Sequence, residues 1–358
     1  MTYRIKKSVA FLLTLIVISS LALSACSKSS SNSASTEDDS DKPVKLKLAH
    51  QFASVTDGEG DYRSLLADRF AKEVEERSNG SIQIEVYPAD SLMKGKEHYS
   101  ALQKGSLDMA VYLPFYDAGK VNEFSISLMP GIIKNSAEAW KWPGSKIGDE
   151  VEGLLDNNGI KMLVWTWAPT TLATKGKKEN VVKEPSDLKG LKLRGAGNDS
   201  EQMFEDLGAG IASMASSELY SALQTGVLDG TLTSYSSFMS YRLFEVVDNF
   251  LYPDDNAIMY ALMPLVISSD VYDNKLNEEQ KAIVDEVSAE LQEWVIEAVE
   301  EDNSQVVQTF KDNGVNVYEI SPEESKKWFE AAQPTVEKFA ESSEEANRLI
   351  KAARELNE

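Results

Sequence analysis

Val44-Lys-Leu-Lys-Leu-Ala49 alternates apolar and polar positions with period two, the pattern of a strand with one covered face, and reads as an edge of a first sheet. Tyr62, Leu65, Leu66, Phe70 and Val74 then recur at helical spacing until Asn79-Gly80. Ile82, Ile84 and Val86 alternate again, so the folded part opens as strand, helix, strand, the start of a parallel α/β sheet. Later segments repeat the theme. Met162 to Trp167 and Leu188 to Gly195 read as strands, and Ser200 to Leu207 as a helix. From Asn277 the pattern is wholly helical: Ile283, Val287, Leu291, Trp294, Ala298 and Val299 keep one face apolar until Asp312-Asn313-Gly314. About 34 residues at about 1.5 Å each give roughly 50 Å, enough to lie across two lobes. Ser321-Pro322-Glu323-Glu324 then caps and starts another helix.

The decuplet YSALQKGSLD at Tyr99 to Asp108 returns 121 residues later as YSALQTGVLD at Tyr220 to Asp229, with eight of ten positions identical. Each copy reads as a helix end, a glycine stop at Gly105 or Gly226, and entry into a strand: Met109 to Tyr112 in one case, Gly230 to Ser234 in the other. Two equivalent joints predict two α/β lobes with a ligand cleft at the strand ends between them. Chain crossings between lobes are expected near Trp167 and near Asp254 to Ala257, which makes a hinge.

The first 25 residues, with Arg4, Lys6 and Lys7 before an apolar run from Val9 to Leu23, read as a secretory signal peptide. Leu23-Ser24-Ala25-Cys26 resembles the bacterial lipobox. Cys26 is the sole cysteine, has no partner for a disulfide, and is expected to be lipidated. Residues 26–43 form a polar tether after it. The lobe assignment that follows is 44–167 plus about 256–295 for the first, and 168–255 plus about 296–358 for the second.

Net charge is −22, or −25 once the three basic residues of the signal are gone. That excludes nucleic acid as a partner, because phosphate binding needs a basic face, but it leaves a locally positive cleft open to a small anion. With two histidines, His50 and His98, and a single committed cysteine, no zinc or thiol–histidine centre can be assembled. No cofactor or catalytic role is expected. Arg194 draws attention because it ends Leu191-Lys-Leu-Arg-Gly195, where a guanidinium can grip a carboxylate with two parallel hydrogen bonds and Gly195 lets the chain turn. Thr233 and Tyr112 follow the two joints into the cleft. Phe52, Trp165 or Trp167, Tyr235 and Gln51 are further pocket candidates, each of a type that more often packs a core.

Asp187-Leu-Lys-Gly-Leu-Lys-Leu-Arg194, Leu207-Gly-Ala, Met214-Ala-Ser-Ser-Glu-Leu-Tyr220 and Val227-Leu-Asp-Gly230 together resemble the extracytoplasmic solute-binding proteins of TRAP transporters. The resemblance spans nearly all the mature chain. It implies a periplasmic-binding-protein-like clamshell with a long lobe-spanning helix, no enzymatic activity, a ligand carboxylate on Arg194, and delivery of the solute to an ion-gradient-driven TRAP permease at the outer face of the membrane. Departures from the family pattern are the missing second arginine in Pro169-Thr-Thr-Leu-Ala-Thr174, Thr233 in place of asparagine, and a small residue at Ser216. With one basic anchor, a monocarboxylate, or an acid whose other end meets neutral groups, fits better than a doubly clamped diacid. Competing readings are an ABC-importer binding lipoprotein, disfavoured by the long helix and the Arg194 segment, and a secreted α/β hydrolase, disfavoured by the absence of a Gly-X-Ser-X-Gly elbow.

Overall fold

The structure, a computed structural model, describes residues 42–253 and 256–357. Its strands are β1 (Val44–Ala49), β2 (Ile82–Tyr87), β3 (Met109–Val111), β4 (Ile160–Val164), β5 (Trp167–Thr174), β6 (Lys192–Arg194), β7 (Gly210–Ile211), β8 (Gly230–Ser234), β9 (Asn249–Tyr252), β10 (Met259–Leu262), β11 (Leu265–Ser268) and β12 (Asn316–Glu319). One sheet runs β2-β1-β3-β11-β4; the other runs β12-β9-β5-β8-β6-β7, with β10 added on β5. Parallel and antiparallel pairs occur in both, so each lobe carries a mixed sheet. β1 lies between β2 and β3, which corrects its reading as an edge. Its alternation arises because Leu46 and Leu48 pack into a core with Phe70 and Val74, while Lys45 and Lys47 face outward.

The helices are α1 (Tyr62–Arg77), α2 (His98–Gln103), α3 (Ser136–Ala139), α4 (Lys146–Asp156), α5 (Asn198–Asp206), α6 (Leu219–Gln224), α7 (Tyr235–Ser240), α8 (Glu278–Asp312), α9 (Pro322–Ser342) and α10 (Glu344–Asn357). The repeated decuplet is α2 to β3 in one lobe and α6 to β8 in the other, and the two copies make the same bonds. Gly105 and Gly226 take left-handed φ of 67° and 73°, conformations glycine adopts without steric cost. Leu107 N and Leu228 N each reach back 3.2 Å to the carbonyls of Ala101 and Ala222. The aspartates close the joints onto the neighbouring strand: Asp108 Oδ2 accepts from Lys47 N at 2.9 Å, and Asp229 Oδ2 from Lys192 N at 2.8 Å. Identical short-range chemistry therefore sets the strand order in both halves.

The chain crosses between sheets at Trp165 and Thr166, between β4 and β5, and again at Met263 and Pro264, between β10 and β11. Met263 N donates to Thr166 O at 2.9 Å and the Thr166 hydroxyl to Met263 O, which ties the two crossings together. The second crossing thus falls after β10 and not at Asp254 to Ala257, because β10 still pairs with β5, Met259 opposite Thr170. α8 starts on an Asn277 cap and packs on α1 and β4 at one end and on α7 and β12 at the other. The last helix departs from the residue ranges expected of the lobes. Ala346, Leu349 and Ile350 of α10 share a core with Ile147, Val151 and Leu154 of α4, so the C-terminus returns to the first sheet's side.

Candidate functional site

Arg194 ends β6 and is 1 % exposed. Burial follows from its position: β8 lies beside it in register, Arg194 opposite Thr231, and the segment 213–216 folds over the guanidinium. Nε donates to Met214 O at 3.0 Å, Nη1 to Leu232 O at 2.9 Å and Nη2 to the Tyr116 hydroxyl at 3.2 Å. Of the five N–H donors of a guanidinium, one on each terminal nitrogen is left without a protein acceptor among the described residues. No carboxylate of those residues lies within ion-pair distance either. A buried cation without a counter-charge is costly unless a ligand supplies one. Gly195 serves differently from the expected sharp turn. A Cβ there would stand 2.5 Å from Glu201 Cγ and 3.0 Å from Glu201 N, so its lack of side chain admits the start of α5.

Arg194 lines a small cavity whose walls include Tyr116, Thr170, Thr233, Ser234, Ser237 and Met263. The space open to water there is about 20 Å³, on the scale of one water, so the cleft is tightly shut around the guanidinium in this closed form. Strand ends from both sheets converge on it, as the topology of open α/β sheets predicts. Tyr116 comes from the short 3₁₀ turn Pro114–Asp117 that follows β3 in the first lobe. Its hydroxyl accepts from Ser216 N at 2.9 Å and lies 3.2 Å from Ser216 Oγ. Gln51, just after β1, donates from Nε2 to Ser216 Oγ at 2.9 Å. These bonds span the cleft, so the lobes stand closed on one another around the cavity.

A second buried guanidinium approaches from α1. Arg63 is 0 % exposed, is gripped by Asp61 through Nε (2.8 Å to Oδ1) and Nη2 (2.5 Å to Oδ2), and stacks 3.6 Å over the Phe52 ring. Burial works against its charge, but the Asp61 carboxylate outweighs that and holds Arg63 above its ordinary pKa. Nη1 extends to Ser234 Oγ, Ser237 Oγ and Met263 sulfur, each at 3.3 Å, directly behind the cavity wall.

Of the sequence-derived candidates, Arg194 and Thr233 line the cavity and Gln51 bridges the cleft beside it. The others do not reach it. Tyr112 stacks on Tyr99 and Phe124 and donates to Asp117 at 3.1 Å, and burial together with that carboxylate pushes its phenol well above its usual pKa. Trp167 is buried between Trp142 and Trp165. Tyr235 packs on Phe250 and Tyr252 at the head of α7. Phe52 sits under Arg63. Cys26 lies outside the described residues. Sequence reasoning missed Tyr116 and Arg63. An arginine in the first turn of a helix opposes the helix dipole, and that was the available signal for Arg63.

Among the described residues no cluster of His, Cys, Asp and Glu is arranged to hold a metal ion, and no helix is long and apolar enough to cross a membrane.

Residues 52–343 match the family model of bacterial extracellular solute-binding protein family 7, DctP. A solute-binding protein of Albidiferax ferrireducens is 36 % identical over 311 residues, covering 87 % of this chain and 91 % of its own. The C4-dicarboxylate-binding periplasmic protein DctP of Rhodobacter capsulatus is 28 % identical over 318 residues, covering 87 % and 91 %. The crystal structure of a TRAP periplasmic solute-binding protein from Rhodoferax ferrireducens with bound malonate superposes with a TM-score of 0.82 at 35 % identity, over 87 % of this chain and 98 % of that one. With its two mixed sheets, tied crossings and cleft-bottom arginine, the chain belongs to the DctP family of TRAP extracytoplasmic solute-binding proteins, which are binding proteins and not enzymes.

Proposed function

We propose that this protein captures a small organic acid by its carboxylate on Arg194, between two closing lobes, and delivers it to a TRAP-type, ion-gradient-driven permease while tethered to the membrane through lipidated Cys26. The observation that carries the reading is the buried guanidinium with one free N–H on each terminal nitrogen and no acidic neighbour among the described residues. A carboxylate supplies both the missing charge and two acceptors in one plane. Malonate in the Rhodoferax ferrireducens protein and C4-dicarboxylates in the Rhodobacter capsulatus one support a small organic acid as the solute. Among the described residues Arg194 is the only cation lining this cavity, which favours a monocarboxylate, or an acid whose other end meets neutral groups such as Thr233. The anchor rests on the sequence Leu23-Ser-Ala-Cys26 and the polar tether after it.

Calorimetry with the solute carried through purification, identified by mass spectrometry, tests the site. Arg194→Ala should weaken binding about thirty- to several-thousand-fold, the equivalent of about 2 to 5 kcal/mol for truncating one partner of a desolvated charge pair. Arg194→Lys should also weaken it, because a point charge cannot reproduce the planar fork. Equal affinities in all three proteins, or a methyl ester that binds as well as the acid, removes Arg194 from the site. Release of Cys26→Ala into the medium checks the anchor.

A further inference from the structure

We infer that Ser237, held by Ser234 and Arg63, forms a second subsite that donates a hydrogen bond to an uncharged oxygen of the solute, so that the preferred solute is a hydroxy- or oxo-monocarboxylate. The inference rests on the carboxylate being bound at Arg194 and adds what recognises the rest of the molecule.

The hydrogen-bond directions carry it. Ser234 Oγ accepts from Arg63 Nη1 at 3.3 Å and from Ser237 N at 3.2 Å, and donates its proton to Ser237 Oγ at 2.9 Å, the shorter of its two hydroxyl contacts, with Ser236 Oγ 3.2 Å away. Ser237 Oγ therefore accepts twice, from Ser234 and from Arg63 Nη1 at 3.3 Å. A hydroxyl has two lone pairs and one proton, so with both lone pairs engaged Ser237 can act only as a donor. Its proton meets no acceptor among the described residues, and the side chain lines the same cavity as Arg194. The group that completes it is an oxygen acceptor.

The charge of that oxygen follows from Arg63. Its guanidinium is already matched by Asp61 through Nε and Nη2, so the pair presents no surplus positive charge to the cavity. A second carboxylate at Ser237 would lose its hydration with no cation to replace it. A keto, amide or hydroxyl oxygen incurs far less and still accepts the hydrogen bond. Arg63 acts as a positioning residue: it orients both serine hydroxyls by donating to them and stands behind the wall.

Calorimetry on a panel separates the possibilities. The probes are straight-chain monocarboxylic acids of two to six carbons, their hydroxy and oxo counterparts, and the diacids of equal length. In the wild-type protein, one oxygenated acid should bind about tenfold more tightly than its unsubstituted parent, the worth of one added hydrogen bond, and more tightly than the diacid. In Ser237→Ala the ratio of oxygenated acid to parent should fall to near one, and in Arg63→Lys it should fall part of the way. A ratio of two affinities within one variant does not depend on how much of the preparation is folded. A ratio unchanged in Ser237→Ala, or a diacid that outbinds every oxygenated acid, overturns the subsite. Failure of the underlying reading looks different: Arg194→Ala would then keep its affinity for the whole panel.

Discussion

Tyr116 of the first lobe and Ser216 of the second meet across the cleft, the tyrosine hydroxyl accepting from Ser216 N at 2.9 Å while lying 3.2 Å from Arg194 Nη2. One hydroxyl thus closes the lobes and braces the anchor. The meeting depends on Ser216 being small, for a bulky side chain at that position would compete with the tyrosine for the same space. Tyr116→Phe leaves the Ser216 N–H without its acceptor in the closed state, a cost of about 1 to 3 kcal/mol. Because the closed state is the one that holds solute, apparent affinity should fall roughly five- to a hundredfold. Calorimetry beside wild type checks this; an unchanged affinity would show that the hydroxyl contributes nothing to closure.

Solute should shift the population toward the closed form, since the two crossings at Thr166 and Met263 lie side by side and bend as one hinge. Small-angle scattering should show a smaller radius of gyration at saturation with the co-purified acid. An identical profile with and without it would argue against the clamshell movement.

The glycines of the repeat separate two kinds of constraint. Gly226 has φ of 73° and open space where a Cβ would go, so Gly226→Ala should cost only the left-handed backbone, about 1 to 2 kcal/mol. At Gly230 a Cβ would lie 2.7 Å from Ala173 O and 2.7 Å from Thr174 Cγ2, contacts that force β8 away from β5. Gly230→Ala should therefore destabilise by about 1 to 3 kcal/mol through overpacking, and should also disturb Thr233 at the cavity. Urea unfolding together with solute titration distinguishes them: Gly226→Ala should keep wild-type affinity and Gly230→Ala should not.

What could be read from the sequence and what could not divides along the range of the interactions. The joints at Gly105 and Gly226, the caps at Asn277 and Ser321, and the length of α8 are set by neighbours within a few residues, and all stand where the pattern puts them. Arg194 was visible because its strand and following glycine are local too. Tyr116 was not, since its importance comes from Ser216, a hundred residues away in sequence, and Tyr112 attracted the attention that belonged four residues later. Aromatic type alone could not place Trp167 or Tyr235, whose rings complete cores. The second crossing escaped for a similar reason: β10 pairs with β5 across ninety residues, and nothing near Met263 marks the change of sheet.

His50 and His98 are buried, and burial lowers each from 6.5 to about 4, with the neighbouring Asp61 opposing the shift at His50. Between pH 4 and 6.5 the unfolded chain binds more protons than the folded one, so these groups make stability rise with pH in that window and are fully favourable above it. Between pH 7 and pH 5 the two histidines together contribute a loss on the order of a few kcal/mol, which urea unfolding reads most directly in the Asp302→Asn background, where no opposing carboxyl titrates at that site. His98→Leu should shallow that slope by about one proton. An identical slope in the variant would mean that His98 titrates normally.

Asp302, on α8, works in the opposite sense. Burial raises its carboxyl from 3.8 to about 7, with Asp61 and Glu301 pushing the same way and Arg63 opposing, and its Oδ2 has no hydrogen-bond partner among the described residues. Here the folded state binds the extra proton between pH 3.8 and 7, so this group makes stability fall as pH rises through that range, and the full penalty is present above pH 7. That rise corresponds to about 4 kcal/mol, and because part of the side chain remains accessible, roughly 2 to 4 kcal/mol is the expected size. Asparagine has the shape of the protonated acid and never ionises. Asp302→Asn should therefore be more stable than wild type at pH 8 and close to it at pH 4, while Asp61 and Arg63 keep their pairing in both. The two opposing slopes partly cancel in the wild-type protein between pH 4 and 7, so the single variants separate them. Urea midpoints measured at half-unit intervals from pH 4 to 8 test both parts. A variant that matches wild type across the whole range would show that Asp302 is ionised at neutral pH without penalty.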